Sequence, residues 1–165
     1  MWKQICLTAL FLVLPTRIKP NALPSFKVGV KPVLITKQIT SFIEPAHGRL
    51  TSLFGRRNKG FHTGIDIAAI KGSPITATKA GKVTFAGYAG GYGKLVVVQH
   101  EKYTSRYAHC SKILVKKNAI VKQGDTIALV GSTGRSTGNH LHFEILLKEK
   151  FMNPQKYLTF RSQAL

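Results

Sequence analysis

His140-Leu-His-Phe-Glu-Ile-Leu-Leu147 is the stretch that decides how this chain folds. A strand turns successive side chains to opposite faces. Leu141, Phe143, Ile145 and Leu147 therefore share an apolar face that packs on a core. His140, His142 and Glu144 line the other face and carry two imidazoles into a groove. A second stretch, His62-Thr-Gly-Ile-Asp66, sets an imidazole four residues before a carboxylate. Gly64 and the β-branched Ile65 and Ile67 favour a strand entering or leaving a turn there over a helix. On such a strand His62 and Asp66 face the same way. Two strands of this kind side by side supply two histidines and an aspartate, with one histidine to spare. That donor set suits zinc with a fourth position open for water.

Outward from these motifs the texture is uniform. Pro74-Ile-Thr-Ala-Thr78, Lys82-Val-Thr-Phe-Ala86, Leu95-Val-Val-Val-Gln-His100 and Thr126-Ile-Ala-Leu-Val130 each read as strands. Gly81, Gly87, Gly90, Gly91, Gly93, Gly124, Gly131 and Gly134 punctuate them as hairpins and wide loops do. No long window carries a helical apolar period. The expected fold is mainly β, a single small domain on an antiparallel sheet that forms a groove, with little helix.

The chain has 165 residues and is 44% hydrophobic, enough for one domain with a true core and too short for two comfortable ones. It carries 25 Lys and Arg against 6 Asp and Glu, a formal charge of +19. Such a field predicts an anionic partner: nucleic acid, anionic lipid or a negatively charged cell-wall polymer. At the N-terminus, Lys3 precedes an apolar run from Ile5 to Leu14 broken only by Thr8. This resembles a secretory signal and is too short to span a bilayer as a helix. Residues 1–20 thus read as a signal peptide or a short N-terminal anchor, with transient membrane contact through that segment only and export to the periplasm or cell envelope. Residues 21–40, rich in proline and lysine, read as a linker, with a first edge strand near Val33 to Ile35. The domain is expected over 41–160, followed by a tail at 161–165.

Cys6 lies in the apolar run with no lipobox before it, and Cys110 adjoins His109. Neighbours on a strand face opposite ways, which places this pair poorly for proton transfer, so Cys110 reads as a small buried apolar residue. His100 and His47 lack ligand spacing to a partner and read as structural or solvated. Gly87-Tyr-Ala-Gly-Gly-Tyr-Gly-Lys94 has the wrong glycine spacing for a phosphate loop, and Leu95 stands where Ser or Thr belongs. There is no G-x-S-x-G elbow, and neither zinc-finger cysteines nor an RNP-type aromatic strand supports nucleic-acid readout.

Taken in order, Gly48-Arg-Leu-Thr-Ser-Leu-Phe-Gly-Arg56, His62-x-x-x-Asp66, Tyr107-Ala-His109, Gly138-Asn-His140-Leu-His142-Phe-Glu144 and the closing Asn153-Pro154 with Tyr157-Leu158 closely resemble the lysostaphin-type (LytM-like) zinc metallopeptidases. The resemblance runs from about Ile43 to Leu158. It implies a small β fold with a metal at the floor of a groove. One zinc per chain would be held by His62, Asp66 and His142, with His109 and His140 beside it as the catalytic pair. Which of the two is the base stays open. Glu144 shares the face of His140 and His142 and is placed either to orient an imidazole or to face solvent. Arg56, Tyr88 and Tyr92 are candidates for the substrate groove. Arg56 and Arg57 lie just upstream of His62; either one of them approaches the substrate carbonyl or a carboxylate, or both are solvated surface arginines. Cys110, where an aliphatic residue is usual, and Asn139, where proline is frequent, depart from the family pattern without touching a ligand.

The implied function is a zinc-dependent endopeptidase that hydrolyses peptide cross-links of bacterial peptidoglycan, drawn by charge to anionic envelope polymers. The alternative is a non-catalytic envelope-binding or regulatory module that activates other wall hydrolases. A basic nucleic-acid-binding domain is disfavoured by both the signal-like N-terminus and the metal constellation, and no nucleic-acid partner is expected.

Overall fold

The computed structural model describes residues 42–58 and 60–159. The signal, linker, Val33–Ile35 strand and C-terminal tail expected from sequence lie outside the described residues. Within them the chain runs through Phe42–Ile43 (β1), Arg49–Ser52 (β2), Gly55–Arg57 (β3), Gly60–His62 (β4) and Ile65–Ala68 (β5). It continues through Pro74–Thr76 (β6), Gly81–Tyr88 (β7), Lys94–Gln99 (β8), Tyr103–Cys110 (β9) and Lys112–Ile113 (β10). Ile120–Val121 (β11), Thr126–Leu129 (β12), His140–Leu147 (β13), Lys150–Met152 (β14) and Leu158–Thr159 (β15) complete it. Two single 3₁₀ turns, Gly90–Tyr92 and Pro154–Lys156, are the only helical elements among the described residues. The mainly β expectation holds.

The principal sheet has the order β11-β7-β8-β9-β13-β5-β2, with β14 also paired to β13. Its pairings are antiparallel throughout. A three-stranded antiparallel sheet, β10-β12-β6, lies apart from it in hydrogen bonding. The two share one apolar core, in which Ile65, Ile67, Val83, Val96, Val98, Tyr107, Leu141, Phe143 and Ile145 meet Ile75, Ile127 and Ala128. β13 is the axis of the larger sheet. Its register sets His142 opposite Asp66 on β5 and opposite Ala108 on β9.

Two local readings need correction. His62 and Asp66 do not share one strand, because the chain breaks at Thr63-Gly64 and the residues belong to β4 and β5. Gly64 passes so close to β13 that a Cβ there would meet the Phe143 carbonyl. The alternative that Glu144 faces solvent is also removed, because Glu144 is buried along with His142 and Leu146, while His140 on the same face stays partly open to the cleft. Thr63, Tyr92 and Arg106 close over Glu144 on that face.

Candidate metal centre

Three elements aim one ligand atom each at a common point. His62 Nε2, at the end of β4, lies 3.2 Å from Asp66 Oδ1 and 3.1 Å from His142 Nδ1. His142 Nδ1 lies 2.8 Å from the same Asp66 oxygen. Among the described residues these three form the group of histidines and acids able to hold a metal ion. Each histidine's outer nitrogen already has a partner. His62 Nδ1 donates to the Leu53 carbonyl at 2.7 Å, and His142 Nε2 donates to Glu144 Oε1 at 3.0 Å. Those bonds select the tautomers whose lone pairs point inward. In those tautomers two imidazole lone pairs and a carboxylate oxygen converge, and such a cluster calls for a cation, either a proton or a metal ion. The residues fit a divalent metal of the zinc type, for which nitrogen and oxygen donors on tetrahedral spacing are the usual set.

The electrostatics carry the same demand. Burial would raise the Asp66 pKa, but the bonds from His142 and His62 outweigh it and hold the carboxyl well below the ordinary range. Burial would lower the His142 pKa, but the bonds to Asp66 and Glu144 reverse it and push the imidazole up to about 9. Without a metal ion the ring therefore holds a second proton between Nδ1 and Asp66, which a bound cation would replace. The other Asp66 oxygen, Oδ2, accepts from Arg57 at 3.2 Å, and Arg57 is anchored in turn on the Ser52 hydroxyl.

His109 and His140 stand beside this cluster. Their rings lie 4.8 Å apart between centroids, and the His109 ring lies 5.9 Å from that of His142. His109 Nδ1 donates to the Thr133 carbonyl at 2.8 Å, and His140 Nδ1 donates to the Gly138 carbonyl at 2.9 Å. In both rings Nε2 is left as the free acceptor. His140 Nε2 is 3.9 Å from Asp66 Oδ1. Burial lowers the His109 pKa more than its bond to Thr133 raises it, so this imidazole stays neutral at physiological pH. The cleft over these side chains encloses about 450 Å³ and is bounded by Arg57 on one wall and Gly134 to Thr137 on the other.

The remaining residues singled out in the sequence fall in several places. Arg56 lines a separate hollow with Asn58 and Phe61 rather than the cleft, and its neighbour Arg57 takes the position beside Asp66. Tyr88 is exposed at the end of β7. Tyr92 sits behind the metal cluster, its hydroxyl donating to Glu144 at 3.0 Å. Glu144 is 0% exposed, so the solvent-facing alternative does not apply. His100 is buried, donating through Nδ1 to the Ala80 carbonyl and bonded through Nε2 to Ser105, while His47 is exposed. Sequence reasoning passed over Thr63, Arg106 and Thr133, which carry no motif; they are found only through the atoms they bond.

Comparison with known proteins agrees with this arrangement. Residues 60–154 match the model of peptidase family M23. The murein hydrolase activator NlpD of Escherichia coli is 44% identical over 125 residues, covering 74% of this chain and 32% of its own. The peptidoglycan DD-endopeptidase ShyB of Vibrio cholerae is 40% identical over 124 residues, covering 69% and 29%. The catalytic domain of lysostaphin from Staphylococcus simulans superposes with a TM-score of 0.64 at 30% identity, covering 67% of this chain and 91% of that domain. The chain spans about a third of the length of the curated relatives it matches. The resemblance read from the histidine motifs is thereby confirmed, and the chain belongs to peptidase family M23, the LytM-like peptidases.

Proposed function

We propose that this chain is a zinc-dependent endopeptidase that cuts peptide cross-links of bacterial peptidoglycan in the periplasm or cell envelope. The observation that carries the reading is the convergence of His62, Asp66 and His142 with two further imidazoles, His109 and His140, facing the same cleft. The first three would hold the metal. When bound, zinc supplies a Lewis acid that polarises a carbonyl and brings the pKa of water down to about 7. Arg57 occupies Oδ2 of Asp66 and so presents Oδ1 to the centre. His109, neutral and locked by Thr133, accepts the proton of the attacking water at Nε2. The proton gained at His109 Nε2 then passes to the leaving amine, relayed by His140, whose ring lies 4.8 Å away and also offers Nε2. Basic residues over the rest of the surface draw the protein to the carboxylates and phosphates of the envelope.

The similarity to the activator NlpD supports a second reading, a module that stimulates other wall hydrolases. Against it stands the complete donor set, since a purely regulatory surface has no need of four imidazoles held in these tautomers around a carboxylate. The test is digestion of purified peptidoglycan by the zinc-loaded full chain beside a His142→Ala control, with products identified by mass spectrometry. New peptide termini from the zinc protein alone support the enzyme. Their absence despite bound zinc, together with faster digestion by an added wall amidase, would instead favour the activator.

A further inference from the structure

Glu144 is a carboxylate with no access to water, surrounded on all sides by donors. Its Oε1 accepts from His142 Nε2 at 3.0 Å, from the Thr63 hydroxyl and from the Tyr92 hydroxyl at 3.0 Å. Its Oε2 accepts from Arg106 at 3.4 Å and again from Tyr92 at 3.3 Å. Arg106 is itself held between two rings, 6.0 Å from the Tyr92 centroid and 5.7 Å from that of Phe151. Thr63 belongs to the turn between the ligands His62 and Asp66. Tyr92 belongs to a loop that grips the opposite wall of the cleft: Arg135 N–H donates to the Gly91 carbonyl, and Lys94 N–H donates to the Thr133 hydroxyl. A Cβ on Gly134 would meet the backbone of Gly91 and Gly93, so the two loops are in close contact.

We propose that Glu144, set by Tyr92, Arg106 and Thr63, is the positioning residue that holds His142 with Nδ1 toward the metal. The inference rests on the metal-site reading above. An imidazole has two nitrogens, and the bond made by one decides which is offered to a metal. With Nε2–H fixed on a buried carboxylate, Nδ1 is the ligand atom and the ring cannot flip without stranding a charge. Tyr92 acts through Glu144: its hydroxyl binds the carboxylate, and its ring lies 6.0 Å from that of His142. It is not among the residues that bound the cleft, which distinguishes it from a groove residue.

The full chain is titrated with zinc against a chromophoric chelator, and its cobalt(II) form is followed by visible absorption. Wild-type protein takes up one zinc. Glu144→Gln weakens zinc affinity about 10- to 100-fold, as loss of a ligand's carboxylate partner typically does, and alters the cobalt bands. Tyr92→Phe weakens zinc several-fold in the wild-type background and has no effect in the Glu144→Gln background, because it acts through that carboxylate. Zinc affinity and cobalt bands unchanged in Glu144→Gln would overturn the proposal while leaving the metal site standing. An equal Tyr92→Phe loss in both backgrounds would overturn the role of Tyr92. Should Glu144→Gln lose its folded circular dichroism spectrum, Tyr92→Phe decides alone, and wild-type affinity and cobalt bands there overturn it. A wild-type chain that takes up no zinc overturns both this proposal and the reading it rests on.

Discussion

His109 sits at φ 61, a left-handed conformation that a non-glycine side chain rarely adopts. The cause is a bulge: between its pairings with Lys94 and Val96 of β8, β9 carries one residue more than its partner. The extra residue puts the His109 ring beside His140 while Cys110 drops into the core. His109→Ala should cut turnover by about 10²- to 10⁴-fold, the usual worth of a general base. Its zinc content should remain one per chain; metal lost in step with activity would recast His109 as a ligand. Burial pushes the Cys110 thiol up to about 12, so it should be inert as a nucleophile. In a Cys6→Ser variant a thiol reagent at mildly alkaline pH should label Cys110 only after denaturation. Labelling of the native protein would show that its face of β9 opens.

At the scale of elements, the turn between β4 and β5 does what neither strand does alone. It brings His62 and Asp66 within 3.2 Å of each other by running against β13, and Gly64 is the residue that permits the approach. Gly64→Ala should destabilise the fold by about 1–3 kcal/mol, the range for forcing a methyl into a packed site, since the obstructing atom is backbone. A urea midpoint equal to wild type would show that β13 can yield there. His100 joins the β7–β8–β9 region through Ala80 and Ser105, and the Ser105 hydroxyl leads on to Tyr107 and Thr78. Burial lowers its pKa from 6.5 despite the bond to Ala80. Above 6.5 the imidazole is neutral in both folded and unfolded chains and has no pH effect on stability. As pH falls below 6.5 the unfolded chain takes up the proton first, so stability declines until the folded imidazole also titrates. The acid-side fall in Tm should be smaller in His100→Gln than in wild type. Parallel curves would assign that fall to other groups.

At the scale of the whole molecule, the convergent donors come from β5 and β13 of the principal sheet and from β4, which pairs only with β3. They meet only when the β3–β4 hairpin is docked on that sheet. Zinc should therefore bind the folded chain and raise its Tm in proportion to the logarithm of free metal, with a chelator reversing the gain. A Tm indifferent to zinc would argue against a preformed site. The excess of 25 basic over 6 acidic residues should make cosedimentation with peptidoglycan sacculi fall steeply as salt rises. Retention at high salt would place recognition in the cleft instead of the surface field.

Short-range periodicity was enough to read the strands and the apolar side of β13, and it left two histidines and an aspartate with one histidine to spare. The choice of His62, Asp66 and His142 came from the resemblance to the lysostaphin-type peptidases. Alternation is a property of the backbone itself, and a histidine two residues from another on a strand can only share its face. The break at Thr63-Gly64, the bulge at His109 and the burial of Glu144 were not legible, because each depends on what a distant strand places alongside. Arg57 rather than Arg56 reaches Asp66 because the β3–β4 hairpin brings it there, and Tyr92 lies behind the site because its loop is clasped by the loop around Gly134. The sequence by itself determined that His62, Asp66, His109, His140 and His142 lie on strands and form the candidate site. Only the tertiary structure decided which nitrogen each histidine offers, since that choice is made by hydrogen bonds to Leu53, Thr133, Gly138 and Glu144, residues whose proximity comes mainly from chain closure.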